Sequence, residues 1–241
     1  MENIISALPR QSSCNFGKSC VSPPASITKL LTALIVLEHA ELSDTVTYSE
    51  TAMNSVEADS GNKYSLAIGD TMTVEDCLYA LLLSSVNQSA NALAEHVAGS
   101  IPAFVDMMNQ RIAELGCNES HFANPSGLND DTQRTTAYDM AIIARACFQN
   151  PTVLEIASAR TSSIPATANN PNGRTFSIEH KMLLSDDSNY YPDAIAGKTG
   201  WTSQAGQTLV TYARREGRGQ IAVTLMSTQK THYSDTKTIL D

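Results

Sequence analysis

A nearly all-apolar segment after Pro24 most constrains how this chain can fold. Residues 26–39, SITKLLTALIVLEH, read as one helix with apolar side chains on almost every face, which is typical of a helix buried in a core. Its longest apolar run, from Leu30 to Leu37 with one Thr inside, is far too short to span a bilayer. The rest of the chain must therefore supply the layers that cover this helix.

The remaining pattern predicts helices in the middle of the chain and strands at its end. The predicted helices are 74–83 with Thr73 as N-cap, 90–99, 101–115, 136–147 and a short one after Pro151. Residues 45–70 read as short strands and loops, and residues 159–190 as irregular with a turn at 169–173. Residues 207–214 and 220–227 alternate apolar and polar side chains and predict an antiparallel hairpin. The fold class is therefore α/β of the α+β type, with an antiparallel sheet packed against a mainly helical part.

Length and charge narrow the functional classes. The 241 residues suffice for one large domain or two small ones. The formal net charge of −9 argues against a nucleic-acid binder held by phosphate contacts. Residues 1–10 lack the basic and apolar regions of a signal peptide, so the protein either stays inside the cell or has lost its export signal.

The five cysteines are an odd number with no metal-binding spacing. Cys14 and Cys20 are close enough in sequence to form a disulfide, although spacing alone does not decide it. Cys77, Cys117 and Cys147 stand in apolar helical contexts and are expected to be buried thiols. No CxxC or HExxH motif occurs, so no metal site is predicted.

Ser26 and Lys29 stand three residues apart at the start of the buried helix, so they share one of its faces. A helix N-terminus favours negative charge, which helps a developing alkoxide. Burial and nearby cations lower the pKa of a lysine and make its neutral amine available as a base. Alone, this pair carries little weight, because a serine and a lysine at this spacing occur in most proteins of this size.

Two further short motifs carry polar side chains. Ser85 and Asn87 lie in a polar break between two apolar helices, where both can point the same way, although a plain helix connector explains the break more simply. Lys198-Thr199-Gly200 is not a phosphate loop, because that loop needs a Gly where Pro192 stands and a helix where a strand follows. On a strand, these three residues would line a cleft edge, with Gly200 allowing close backbone approach.

In this order and spacing, the three motifs resemble the S-x-x-K, S-x-N and K-T-G boxes of the active-site serine penicillin-recognising enzymes. Within that group the chain is similar to the low-molecular-mass D-alanyl-D-alanine carboxypeptidases, also in segments such as HFANPSGL and GKTGWTSQAG, over residues 22–236. The resemblance implies a β-lactamase/transpeptidase-like fold in which residues 1–241 form a single catalytic domain. Its helical part would cover about 40–160 and its sheet part about 190–230, with the cleft between them.

The resemblance also implies a two-step acyl transfer on peptidoglycan stem peptides that end in D-Ala-D-Ala. Ser26 would attack the carbonyl of the penultimate D-Ala, and Lys29 would take its proton. Ser85 would relay a proton to the departing D-Ala, while Asn87 would hold the substrate amide or the Lys29 side chain. Water would then release the acyl-enzyme, without a metal or cofactor.

Other contacts follow from the same resemblance. Lys198 and Thr199, with Gly200 beside them, would bind the terminal carboxylate through charge-assisted hydrogen bonds. The backbone N–H groups of Ser26 and Trp201 would form the oxyanion hole. β-Lactam antibiotics mimic the D-Ala-D-Ala terminus and would acylate Ser26. The implied location is extracytoplasmic, in the periplasm or at the outer face of the cell membrane.

The chain departs from the family pattern at three places. Val86 stands where the middle box usually has Gly, and its side chain is expected to narrow the cleft. Residues 1–20 lack the pattern of the family's first two strands, so the sheet is expected to lack them or build them unusually. The chain ends at Asp241, where the family's last helix is expected to begin, and we expect no C-terminal β-domain or amphipathic membrane anchor in this chain.

Two other functions stay open. A class A-like β-lactamase needs a deacylating Glu about 35 residues after the middle box, but the segment that begins at Glu119 has Ala123 where that loop carries Asn. A non-catalytic penicillin-binding sensor or scaffold would have to arise from Val86 or the atypical termini. Release of D-Ala from a peptide, compared with hydrolysis of penicillin, separates these functions.

For the remaining notable side chains, the sequence predicts positions in the fold and no catalytic role. Trp201 is expected at the cleft edge, Asp139 in the first turn of a helix, and Glu38 and Glu95 on solvated helix faces. The histidines match no ligand spacing and are expected at the surface or in loops: His39, His96, His121, His180 and His232.

Overall fold

The computed structural model describes residues 20–57, 61–62, 64–166 and 170–241, and the backbone of residues 3–7. Its α-helices are α1 (Lys29–His39), α2 (Glu50–Asn54), α3 (Val74–Leu83), α4 (Asn87–Ala98), α5 (Ile101–Glu114), α6 (Ala137–Gln149), α7 (Pro151–Ser158) and α8 (His232–Leu240). Its strands are β1 (Asn3–Ala7), β2 (Thr45–Thr47), β3 (Thr71–Thr73), β4 (Thr161–Ile164), β5 (Arg174–Ser177), β6 (Ala194–Thr202), β7 (Gly206–Arg215) and β8 (Arg218–Ser227). Two 3-10 turns, Ala25–Thr28 and Lys181–Leu183, complete the described elements.

Polar N-caps start the helices near where the sequence predicts them. The hydroxyl of Thr73 accepts from the N–H of Asp76 at 3.1 Å at the start of α3, and Thr136 caps α6 in the same way. The first predicted helix is corrected, because a 3-10 turn carries Ser26 and the α-helix begins only at Lys29.

The main sheet has the strand order β1-β8-β7-β6. The predicted hairpin is confirmed as β7 and β8, and β6 pairs antiparallel with β7 as an edge strand. β1 lies at the other edge and runs parallel to β8. Two expectations are wrong: β4 and β5 pair within the segment expected to be irregular, and α8 already forms before Asp241.

Helix α1 lies at the centre of the core, as its apolar faces predict. Its residues from Lys29 to Val36 are all buried, and it packs against α3, α4, α5 and α6. Helix α6 also packs against β7 and β8, so it connects the helical part to the sheet. The turn before α1 rests on the sheet itself, where the hydroxyl of Thr208 donates to the carbonyl of Pro24 at 2.9 Å.

The described cysteines that were predicted to be buried thiols are buried in the structure. Cys77, Cys117 and Cys147 are buried free thiols, as predicted. Burial raises the pKa of Cys77 to about 12 and that of Cys117 to about 12. Cys20 is disulfide-bonded, and Cys14, the partner that the sequence left open, lies outside the described residues.

A buried ion pair links the two-stranded sheet of β4 and β5 to the loop before β3. Arg174 Nη2 lies 2.9 Å from Asp70 Oδ2, with 2% and 0% of the two side chains exposed. The same guanidinium donates to the carbonyls of Tyr64 and Ser65. Removing one member of such a pair leaves the other charge buried without its partner, which is strongly destabilising.

Replacing Arg174 with methionine should therefore lower the free energy of unfolding by about 3 kcal/mol, as measured by urea denaturation. Arg111→Met is the matched control, because the ion pair of Arg111 with Glu38 at 2.7 Å is partly exposed. That control should cost less than about 1 kcal/mol. Equal losses in the two variants would show that burial of the Arg174 pair does not matter.

Candidate active site

The turn before α1 brings Ser26 and Lys29 together. Ala25 has a left-handed φ of 53°, and the 3-10 turn that follows presents Ser26. Lys29 begins α1 one turn later and is fully buried. Its Nζ lies 2.9 Å from Ser26 Oγ, which is the short contact that the three-residue spacing predicts.

Lys29 also connects two distant segments to the serine. Its Nζ donates to Asn87 Oδ1 at 2.8 Å and to the carbonyl of Ser126 at 2.5 Å. Together with Ser26 Oγ, these atoms supply three acceptors, the number that an ammonium group can satisfy. The first two predicted boxes, 58 residues apart, therefore meet at one nitrogen atom.

The second box is built by a left-handed residue between α3 and α4. Ser85 has a φ of 58°, and its Oγ is buried without a hydrogen bond to any described residue. Val86 is the N-cap of α4 and is only 5% exposed within the hydrophobic core. The expectation that Val86 narrows the cleft is wrong, because this turn directs its side chain into the core and it does not line the cleft.

The third box lies on β6, as predicted. Lys198 is 1% exposed, and its Nζ donates to the carbonyl of Thr199 at 2.9 Å. A Cβ at Gly200 would lie 2.8 Å from the backbone nitrogen of Ser26 and would also collide with the hydroxyl of Thr208. Only glycine therefore lets the strand approach the serine turn this closely, as the sequence predicts.

Sequence reasoning assigned no role to the loop that contributes the carbonyl of Ser126. Gly127 has a φ of 84°, and a Cβ there would collide with the carbonyl of Ala25. The loop also reaches across the cleft: the N–H of Asn129 donates to Glu57 Oε1 at 2.8 Å, and its amide lies 3.4 Å from Ser203 Oγ. The segment HFANPSGL contains this turn, but a backbone carbonyl contact leaves no side-chain signal in a sequence.

A cleft of about 650 Å³ opens where these elements meet. Ser26, Ser85, Asn87, Thr199, Gly200 and Trp201 all line it, whereas Lys29 and Lys198 lie beneath its surface. The cleft-edge position of Trp201 is confirmed, with 62% of the residue exposed. The structure thus brings all the predicted site residues together, six in the wall and two directly behind it.

The predicted surface or loop position is wrong for two of the histidines. His180 and His232 are buried rather than at the surface, and His232 begins α8. His180 Nε2 lies 2.9 Å from Thr211 Oγ1, and burial lowers its pKa to about 3. His180 is therefore neutral near pH 7 and contributes no charge behind β6.

The acidic side chains largely follow their interpretations. Asp139 lies in the first turn of α6 and accepts from Ser120 Oγ at 2.8 Å. Glu38 is exposed, whereas Glu95 is half-buried and accepts from Ser49 Oγ at 2.5 Å. Within the described ranges, no group of His, Cys, Asp and Glu could hold a metal ion.

The chain is similar to known proteins over most of its length. A family model described as D-alanyl-D-alanine carboxypeptidase matches residues 17–229. The D-alanyl-D-alanine carboxypeptidase DacB2 of Mycobacterium tuberculosis is 33% identical over 225 residues, which cover 91% of this chain and 73% of that protein. DacF of Bacillus subtilis is 30% identical over 224 residues, which cover 90% of this chain and 55% of that protein.

Solved structures show the same fold, which confirms the predicted class. A D-alanyl-D-alanine carboxypeptidase from Mycobacterium tuberculosis superimposes with a TM-score of 0.79 at 30% identity, covering 92% of this chain and 81% of that one. The DD-transpeptidase of Streptomyces K15 superimposes with a TM-score of 0.82 at 27% identity, covering 92% and 87%. No helix in the described part of this chain is both long and apolar enough to cross a membrane.

Proposed function

This chain belongs to the D-alanyl-D-alanine carboxypeptidase family, and from that premise we propose that its cleft removes the terminal D-Ala from peptidoglycan stem peptides through an acyl-enzyme on Ser26. The observation that carries the proposal is the position of Lys29 Nζ, 2.9 Å from Ser26 Oγ and 2.8 Å from Asn87 Oδ1. A serine with a buried amine at hydrogen-bond distance is the arrangement that activates a hydroxyl nucleophile.

In the acylation step, Ser26 Oγ attacks the carbonyl carbon of the penultimate D-Ala while its proton moves to Lys29 Nζ. The neutral amine has two N–H groups and one lone pair, so it can donate to Asn87 and Ser126 while it accepts from Ser26. The bond between that carbonyl carbon and the nitrogen of the terminal D-Ala then breaks. The proton taken up by Lys29 is relayed through the Ser85 hydroxyl to this leaving amine, and water later hydrolyses the ester on Ser26.

The backbone of two elements stabilises the charge that develops on the carbonyl oxygen. The N–H groups of Ser26 and Trp201 form the proposed oxyanion hole, and each such donor is typically worth ~3–4 kcal/mol. The closeness of β6 to the serine turn at Gly200 supports this role, because a Cβ there would lie 2.8 Å from the Ser26 nitrogen.

The substrate carboxylate binds at the third box. Thr199 lines the cleft and contacts the carboxylate, while the buried charge of Lys198 lies directly behind it. A cation in a low-dielectric wall attracts an anion more strongly than one in water. This local attraction acts against the net charge of −9 on the whole chain.

Family members act on peptidoglycan, which supports an activity outside the cytoplasm. We assign it to the periplasm or the outer face of the cell membrane, with β-lactam antibiotics as acylating ligands. The β-lactamase alternative gains no support from Glu119, which is absent from the cleft wall and whose N–H donates to Asp139 Oδ2 at 3.1 Å.

The test compares turnover of a peptide with turnover of a penicillin. We expect release of D-Ala from an Nα-acylated peptide that ends in D-Ala-D-Ala, and a long-lived covalent adduct with benzylpenicillin. The same peptide ending in D-Ala-L-Ala is the control that should stay intact. Rapid hydrolysis of benzylpenicillin would instead identify a β-lactamase, and an adduct without D-Ala release would identify a sensor or scaffold.

A further inference from the structure

Trp201 exposes more apolar surface in the cleft than core packing explains. The structure gives five exposed large hydrophobic side chains among the described residues: Val21, Ile68, Tyr138, Tyr190 and Trp201. Of these, Trp201 lines the cleft and is the most exposed, at 62%. Burying the apolar surface of an indole contributes a large favourable free energy, which an exposed ring does not obtain. A substrate group that covers the ring in the working enzyme would obtain it.

The order of residues along β6 indicates which part of the substrate lies over this ring. Lys198 and Thr199 hold the terminal carboxylate in the proposed function, and the N–H of Trp201 holds the oxygen of the reacting carbonyl. The acyl part of the substrate, upstream of that carbonyl, must therefore continue toward the end of β6 at Trp201 and Thr202. The inference thus rests on the proposed function.

The surrounding wall is mostly polar. Gln207 pairs with Trp201 across the β6–β7 ladder and lines the same cleft, as does Asn129. Leu128 and Tyr233 are the other aliphatic or aromatic carbon side chains in the described cleft wall. Leu128 is partly buried and Tyr233 is only 8% exposed, so Trp201 offers the most accessible apolar surface.

We propose that the Trp201 indole is the subsite for an apolar side chain in the acyl part of the substrate, and that it determines which acyl groups the enzyme prefers. The backbone N–H of the same residue stabilises the oxyanion, so side-chain substitutions separate the two roles. The ligand class is a D-Ala-D-Ala peptide whose preceding acyl group is aromatic or bulky and aliphatic.

A matched pair of substrates tests the subsite: phenylacetyl-D-Ala-D-Ala and acetyl-D-Ala-D-Ala, which differ only by the phenyl ring. The wild-type protein should favour the phenylacetyl peptide by about tenfold in kcat/KM. Trp201→Ala should reduce this preference to about twofold or less, through slower cleavage of the phenylacetyl peptide alone. Trp201→Phe keeps an aromatic face and should retain most of the preference. Tyr138→Ala removes an exposed aromatic ring outside the cleft and should leave both rates unchanged.

The outcomes separate the subsite from the reaction itself. If Trp201→Ala slows both peptides equally, the ring only shapes β6 and the subsite is refuted. A wild-type protein with equal rates for the two peptides also refutes it. If the wild-type protein cleaves neither peptide and forms no adduct with benzylpenicillin, the proposed function fails and the subsite falls with it.

Discussion

Ser26→Ala is expected to abolish the benzylpenicillin adduct and to lower D-Ala release by about 10⁴-fold or more. The reason is that the acyl bond forms to Ser26 Oγ, and alanine has no oxygen there. The fold should survive, because Lys29 keeps its contacts with Asn87 and with the carbonyl of Ser126. Intact mass after incubation with benzylpenicillin measures the adduct directly, and a coupled assay measures free D-Ala.

Ser234→Ala serves as the control for this experiment, because Ser234 is an exposed serine on α8 whose hydroxyl donates only locally, to the carbonyl of Thr231. It should form the adduct as the wild-type protein does. An adduct of full yield in Ser26→Ala would place the nucleophile on another residue and would end the proposed mechanism.

Lys29→Met should slow acylation by about 10²–10⁴-fold, the usual contribution of a positioned general base. Methionine keeps an unbranched chain of similar length but cannot accept the Ser26 proton. It also leaves Asn87 Oδ1 and the carbonyl of Ser126 without their donor, so some loss of stability accompanies the loss of rate. The rate of adduct formation under excess benzylpenicillin is the measurement, taken well below the melting temperature of the variant.

Lys29→Arg separates the proton acceptor from the positive charge. Arginine stays protonated in proteins, so this variant keeps a cation near Ser26 but loses the base and should be slow as well. Lys237→Met, at a partly exposed position on α8, controls for the loss of a lysine in general. Wild-type rates in Lys29→Arg would show that the charge, not proton transfer, is what Lys29 supplies.

The helical part of the fold could be predicted because its signals are local. The apolar faces of α1 and the N-cap Thr73 with its acidic first turn mark helices within a few residues. The sequence does not predict β4 and β5, because TSSI and RTFS contain one apolar residue each. They are held by pairing with each other and by the buried contact of Arg174 with Asp70, both of which are long-range.

The site could be predicted for a different reason: its signal is not local. The three boxes are specific only when they are taken together. Each motif alone is common, and the structure brings them together at Lys29 and Gly200. The sequence could not show whether an individual side chain faces the core or the cleft. Val86 lies in the core after Ser85, which takes a left-handed φ, and His180 is buried against Thr211 of β7. The assignment of roles to the site residues, and of all 241 residues to one domain, stays a prediction.

The exposed indole at the cleft has a practical consequence, because Trp201 is the single tryptophan of the chain. Indole emission responds to the water and the groups around the ring, so the fluorescence of the unlabelled protein reports on one place, the mouth of the cleft. Stopped-flow emission can then follow arrival of a ligand, formation of the acyl-enzyme and its breakdown in a single trace. Trp201 is therefore an intrinsic fluorescent probe. It directly follows Gly200, where β6 comes closest to the backbone of Ser26.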